Sequence, residues 1–235
     1  LNYTKMTQIQ ALALPTLLKR EDLTAKAKTG SGKTLAFAIA ALSALNNEEE
    51  VQTLVITPTR ELAEQVATVL RELARYRTNT TVLTLCGGTP LRPQADALKK
   101  CVEIVVGTPG RIKDHLAKGT LDITRVHTLI LDEADIMLDM GFIEEIEGII
   151  RNIKNTRHTM LFSATYPKSI ENFAKRVQSR ARFVEVENEK ANDIEEIFVN
   201  CNNSDRVATL RNIITHYQLR RAIIFCNTKE QVKAL

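Results

Sequence analysis

Tryptophan is absent from these 235 residues, and aromatic side chains of every kind make up only 5%. Leu, Ile, Val and Ala carry the apolar content instead, a composition suited to an α/β core. The four cysteines, Cys86, Cys101, Cys201 and Cys226, have no C-x-x-C spacing. That excludes the common thiol metal and dithiol redox motifs, and reduced thiols in a cytoplasmic protein are expected. His115, His127, His158 and His216 are scattered without metal-ligand spacing, so each reads as structural or solvated. Long apolar runs are missing too. The most apolar stretch, LAFAIAALSAL at 35–45, is too short to cross a bilayer, and no signal peptide precedes it. Nor is there a strong charge of one sign. A net charge of +4 permits a polyanionic partner without demanding one, so a nucleic-acid reading must rest on local features.

The length suits one large domain, or one domain plus a piece of another, with no need of disulfide or metal staples. Apolar, β-branched runs at 23–27, 52–57, 80–85, 102–106, 127–132, 158–162 and 182–186 read as strands. Helical patterns lie between them. At 60–76, Leu62, Val66, Val69, Leu70 and Leu73 recur along one face at helical spacing. Strands apolar on both faces and alternating with helices imply a doubly wound α/β domain on a mostly parallel sheet. The polar stretch ENEKAND follows the last of these strands. One lobe is therefore expected over 1–187, a linker over 188–193 and the start of a second lobe over 194–235. That second part is expected to run strand (194–199), helix (204–217), strand (222–226) and a helix that stops within a turn. The chain also opens on Leu1 rather than Met, so further sequence is expected beyond both ends.

AKTGSGKT (27–34) follows a strand and opens a helix. It matches the phosphate-binding pattern G-x-x-x-x-G-K-[ST], with Ala27 in place of the first Gly. Small residues let the backbone N–H groups of Lys28, Thr29, Gly30, Ser31 and Gly32 close around phosphate oxygens, and the helix N-terminus adds its positive end. Lys33 is expected on the β- and γ-phosphates, and the Thr34 hydroxyl on Mg²⁺. TLILDEAD (128–135) ends an apolar strand in carboxylates. Asp132 is placed to hold Mg²⁺ through its water shell, and Glu133 to orient and deprotonate an attacking water. Taken alone, the same acids would simply favour a helix N-terminus. Phosphoryl transfer needs both halves, and both are here.

TPTR (57–60) and TPGR (108–111) echo each other, each between a buried-type strand and a helix. Pro and Thr at such a junction can merely start a helix. Read functionally, Pro58, Thr59 and Arg60, with Thr108, Pro109, Gly110 and Arg111, form two grips on a sugar–phosphate backbone. Gly87 and Gly88 offer close backbone approach at a third junction, or just a turn. SAT (163–165) leaves two roles open: Ser163 and Thr165 bridge the Asp132/Asp135 region to neighbouring loops, or they cap the next helix. Six motifs thus fall after six successive strands, on the single rim that a parallel sheet gives to ligands. One region must hold a nucleoside triphosphate and another a second polyanion.

In this order, AKTGSGKT, PTREL, GG, TPGR, DEAD and SAT resemble the DEAD-box ATP-dependent RNA helicases over essentially the whole chain. The resemblance implies two RecA-like lobes that sandwich ATP and RNA, with IIFCNTK (223–229) opening the second. YTKMTQIQ (3–10) resembles the family's adenine-reading Q motif. By that likeness Gln10 pairs with the adenine edge and Tyr3 stacks on the ring, while Asp135, Ser163 and Thr165 couple ATP to RNA. Met6, AKTGSGKT and LTLCGG resemble the bacterial DbpA-like branch, which implies ribosomal RNA as the target. Met6 stands where many members have Pro, and Ile136 where Arg is common. The arginines of the second lobe, which complete the ATP site in the family, are not in this sequence. The implied function is RNA-stimulated ATP hydrolysis coupled to local duplex unwinding, with the second lobe required. Two rivals are weighed against it. A P-loop nucleotide kinase needs a lid and an acceptor pocket, and no segment suits either. A non-catalytic RNA clamp switched by ATP has no use for a water-activating Glu133.

Overall fold

The computed structural model describes residues 5–77, 80–186, 195, 197–202 and 205–235; Tyr3 and the expected linker 188–193 lie outside them. The chain divides into two units, Leu1–Glu187 and Asn188–Leu235.

In the first unit, strands β1 (Leu23–Lys26), β2 (Thr53–Ile56), β3 (Val82–Leu85) and β4 (Ile104–Gly107) join β5 (Thr128–Leu131), β6 (His158–Ser163) and β7 (Arg182–Glu185) in one sheet. The strand order is β3-β4-β2-β5-β6-β1-β7, and every pairing is parallel. Helices α1 (Gln8–Leu17), α2 (Lys33–Ala44), α3 (Arg60–Ala74) and α4 (Leu91–Leu98) lie along the first half of the chain. Helices α5 (Pro109–Ala117), α6 (Ala134–Asp139), α7 (Ile143–Ile150) and α8 (Lys168–Val177) follow.

The central strands β2, β4, β5 and β6 are buried on both faces, and their side chains are dealt alternately to two cores. Val55, Ile104, Val106, Ile130, Met160 and Phe162 face one core, which α1, α2 and α3 cover. Leu54, Ile56, Val105, Leu129, Leu131 and Leu161 face the other, which α5 to α8 cover. This is the doubly wound arrangement that continuous apolar strands require. Within α3 the buried line runs through Ala63, Val66, Ala67, Leu70 and Ala74. Val69 and Leu73 flank it half-buried rather than leading it. The small alanines let the helix lie close to the sheet, so the buried stripe is centred on them.

Gly107 ends β4 between two neighbours. A Cβ there would meet the backbone oxygen of Leu85 at 2.4 Å and Ile112 Cγ1 at 3.1 Å. Backbone in a paired strand cannot retreat without breaking its ladder. Gly107→Ala is therefore expected to cost about 1–3 kcal/mol of stability, seen as a fall of several degrees in Tm by circular dichroism. An unchanged Tm would show that β3 and β4 have room the geometry denies.

His158, buried at the start of β6, has its pKa lowered to about 4 by burial first and then by His127 and Arg20. An unfolded chain takes up this proton near pH 6.5, while the folded one resists until about 4. The stabilisation is therefore complete above 6.5 and drains away as the pH falls towards 4. Urea unfolding at pH 7 and pH 5 should differ by roughly 2 kcal/mol from this group, and His158→Leu should remove that difference.

The second unit contains α9 (Arg206–His216) and α10 (Lys229–Ala234). Among its described residues no strand forms at 194–199 or 222–226, contrary to expectation. An extended segment becomes a strand only when a neighbour pairs its N–H and C=O groups. Ile223 and Phe225 are instead 83% and 91% exposed. The turn after them does repeat the first unit. Thr228 caps α10 through a hydrogen bond from Gln231 N, as Thr59 caps α3 through Leu62 N, with nearly the same backbone angles.

Candidate active site

The strand order sorts the motifs in a way their spacing alone does not reveal. On the carboxyl rim, β5, β6 and β1 stand side by side, bringing DEAD, SAT and the phosphate-binding loop together. β3, β4 and β2 form the adjoining block and carry GG, TPGR and TPTR. One edge is thus divided into two neighbouring halves.

In the first half the loop 27–34 leaves β1 with Ala27 N donating to Ser163 O at 2.9 Å. Gly30 and Gly32 take positive φ values of 82° and 91°, which glycine adopts without strain. Gly32 also passes so close to α1 that a Cβ would lie 2.7 Å from Gln10 Nε2. Ser31 Oγ is buried with no hydrogen-bond partner among the described residues. The N–H groups of the first turn of α2 have no partner inside the helix. Together these features make a cradle of donors suited to an oxyanion.

Lys33 opens α2 and is only 3% exposed. Its Nζ lies 2.6 Å from Glu133 Oε1 and 3.2 Å from Asp132 Oδ1. Burial pulls the Lys33 ammonium down, but the two carboxylates outweigh it and hold it above its ordinary value. Burial pushes the Asp132 carboxyl up, with Lys33 opposing and Glu133 adding to the effect. One ammonium thus faces two buried carboxylates and leaves a net negative charge. Asp132 and Thr34, which follows Lys33 in α2, are oxygen donors of the kind a hard divalent cation takes. The Thr34 hydroxyl makes no direct hydrogen bond to Asp132. Glu133 sits in the left-handed region, φ 55° and ψ 51°, a strain of about 1–3 kcal/mol. Its side chain is held there by Lys33 and by the Thr29 hydroxyl at 3.0 Å, its N–H by Asp132 Oδ1 at 3.1 Å.

SAT resolves in favour of bridging. Asp135 Oδ2 accepts from Thr165 N at 2.8 Å and Thr165 Oγ1 at 2.9 Å, and Asp135 N donates to Ser163 Oγ at 3.2 Å. Burial works to raise the Asp135 carboxyl, and the hydrogen bonds, chiefly from Thr165, leave it below its usual range. The helix after Pro167 has no side-chain cap.

Gln10 is buried beside the same loop. Its Nε2 donates to Gly32 O at 3.1 Å and its Oε1 accepts from Thr7 N at 2.9 Å, closing a Thr-x-x-Gln capping box. Thr7 is a site neighbour that this spacing could have revealed.

In the second half, Thr59 caps α3, whereas Thr108 precedes α5 without using its hydroxyl as a cap. Pro109 takes the first helical position, where its missing N–H costs nothing. Gly88 has φ of 80° and lies under the Arg60 guanidinium, 3.2 Å from where a Cβ would stand. Gly87 and Gly110 are open, with no atom near enough to crowd a Cβ. Cys86, just before the glycine pair, is buried, and that burial pushes its thiol up to about 11. It is inert packing, consistent with four free cysteines. Arg111 is bonded to Thr89 O and to Gln94 of α4, in a cluster with His115 that sequence reasoning did not anticipate.

Residues 7–173 match the family described as DEAD/DEAH box helicase. Two proteins named ATP-dependent RNA helicase DbpA, from Escherichia coli (strain K12) and Bacillus subtilis (strain 168), are 44% and 39% identical across all of this chain. The chain covers 52% and 50% of those proteins, so it spans about half the length of the curated relatives it matches. Among solved structures, a DEAD box protein from the hyperthermophile Methanococcus jannaschii aligns with a TM-score of 0.73 and 39% identity over 97% of this chain and 62% of its own. A hypothetical ATP-dependent RNA helicase from Sulfolobus tokodaii aligns with a TM-score of 0.73 and 38% identity over 79% and 54%. This chain belongs to the DEAD/DEAH box helicase family, where its motifs and relatives group it with the DbpA-like branch.

Proposed function

We propose that this chain is the ATP-binding lobe, with the opening of a second lobe, of an ATP-dependent RNA helicase. The observation that carries the reading is the division of one sheet edge into a half with the phosphate-binding loop, DEAD and SAT and an adjoining half with TPTR, GG and TPGR. Lys28 to Gly32 cradle the phosphates of ATP through backbone N–H groups, and Lys33 reaches for the β- and γ-oxygens. A phosphate that draws Lys33 away releases Glu133, which then holds and deprotonates the attacking water. Thr34 and Asp132 hold Mg²⁺, which, when bound, offsets the charge on the phosphate oxygens. The excess negative charge around Lys33 and the orphaned Ser31 hydroxyl suit both ligands. Gln10 and Tyr3 read adenine, Gln10 with the amide capacity its two protein bonds leave over.

RNA lies along Pro58, Thr59, Arg60, Gly87, Gly88, Thr108, Pro109 and Gly110, held by its sugar–phosphate backbone rather than by its bases. Asp135, tied to Ser163 and Thr165, joins DEAD to SAT within the phosphate half, and these three residues are assigned to coupling ATP to RNA. The DbpA-like motifs support ribosomal RNA as the target. A second lobe closes on both ligands and contributes arginines worth about 10³–10⁵ in rate in related phosphoryl transfers. Residues 1–235 alone are therefore expected to bind a fluorescent ATP analogue with Mg²⁺, yet hydrolyse ATP barely and unwind no RNA duplex. Strong RNA-stimulated turnover by this chain would overturn the need for a second lobe.

A further inference from the structure

TPTR and TPGR are near copies in sequence, but their arginines are held in opposite ways. Arg60 is exposed and, among the described residues, has neither an ion pair nor a hydrogen bond; its guanidinium stands over Gly88. The Arg111 side chain is only 11% exposed. One terminal nitrogen donates to Gln94 Oε1 at 3.0 Å, the other to Thr89 O at 3.0 Å, and Nε lies 3.6 Å from Asp114 Oδ2. Both terminal nitrogens are thus hydrogen-bonded to protein acceptors, while Nε is buried with no hydrogen bond among the described residues and meets Asp114 only as an ion pair.

Gln94 is the centre of this cluster. Its Nε2 donates to Cys86 O at 3.0 Å and Thr89 Oγ1 at 2.7 Å. Its Oε1 takes Arg111 and, at 3.2 Å, Nε2 of the fully buried His115. A backbone carbonyl only accepts and a guanidinium only donates, so these neighbours fix which way round the amide sits. With Gln94 Oε1 an acceptor, His115 Nε2 is the nitrogen that carries a proton; Nδ1 lies 2.8 Å from Thr120 Oγ1, which also reaches His115 O at 3.2 Å. Both donors and both acceptor positions of Gln94 are used. The cluster ties the turn after β3 and helix α4 to α5, from Arg111 near its start to His115 in its last turn.

We infer that Gln94 is a positioning residue that locks the glycine turn to α5 through Arg111, and that Arg60, not Arg111, meets an RNA phosphate. The inference rests on the RNA-backbone reading proposed above. Two grips on separate loops hold one strand well only if their spacing is set before RNA arrives, and Gln94 sets it.

The salt dependence of RNA binding separates the roles, because each phosphate contact on a single strand adds about 0.7 to the slope of log K against log salt. In the full-length protein with an ATP analogue and a single-stranded RNA oligonucleotide, Arg60→Ala is expected to lower that slope by about 0.7. Arg111→Ala and Gln94→Leu are each expected to weaken RNA binding about tenfold with the slope unchanged. Combined, they should be no worse than either alone. Gln94→Glu keeps the acceptor for Arg111 and His115 but loses both donations, and should fall in between. Two results overturn the inference: a slope loss in Arg111→Ala equal to that of Arg60→Ala, or nucleotide affinity falling in step with RNA affinity in both Gln94 variants. If Arg60→Ala also leaves RNA binding untouched, the RNA-backbone reading falls with it.

Discussion

Glu133→Gln in the full-length protein is expected to cut ATP turnover by about 10²–10⁴ while leaving ATP-dependent RNA binding in place. The substitution is nearly isosteric. The amide oxygen can still accept from Lys33 and from Thr29, whose distances to Glu133 Oε1 are 2.6 and 3.0 Å. What the amide cannot do is take a proton from water. Removing one negative charge also leaves Lys33 balanced against Asp132 alone, so no buried charge is orphaned. The loss should therefore appear in kcat, measured by phosphate release, and not in Tm or in RNA anisotropy titrations with ATP. Surviving turnover would strip Glu133 of its role as base. Loss of RNA binding along with turnover would show that the carboxylate holds the site together instead of acting on water.

The sequence made the chemistry of each motif legible, because short-range spacing sets which atoms a strand end or helix start presents. The strands that are buried on both faces were legible for the same reason. Which strands lie side by side was not, since that is decided by packing between segments many residues apart. Without it, the six motifs form one rim; with β5, β6 and β1 adjacent, they sort into two neighbouring groups of three. Ser163 and Thr165 looked like either a bridge or a cap, and only the approach of Asp135, some 30 residues earlier, separates those roles. Arg60 and Arg111 looked equivalent for a similar reason. Gln94 stands 17 residues from Arg111, in a segment with no motif of its own. In α3, counting large apolar residues shifted the buried face, because alanine's contribution to close packing carries little hydrophobic signal. Among the described residues of 194–199 and 222–226 no strand forms, and pairing between distant segments is something no local pattern can report.

Lys33→Ala should be the most destabilising change at the site, quite apart from its loss of phosphate binding. It leaves Asp132 and Glu133, only 3% and 5% exposed, facing each other without a cation. Breaking a buried ion pair from one side costs about 3–5 kcal/mol, because the remaining charge stays desolvated. The pH dependence distinguishes this cause from simple lost packing. Without Lys33 the Asp132 carboxyl, already pushed up by burial, rises further above its unfolded value. A carboxyl raised in the folded state penalises folding while it is ionised, and the penalty fades as the pH falls through its folded pKa. The gap between wild type and Lys33→Ala in urea unfolding should thus be widest at pH 8 and narrow as the medium becomes acidic. Adding Glu133→Gln should recover part of the loss by removing one of the two charges, a non-additivity that packing alone does not produce. A gap that is constant with pH, or a double variant as unstable as the sum of the singles, would mean that the three groups are not electrostatically coupled. Lys33 would then have no carboxylate to release when a phosphate arrives, and the proposed hand-over from Glu133 to nucleotide would lose its physical basis.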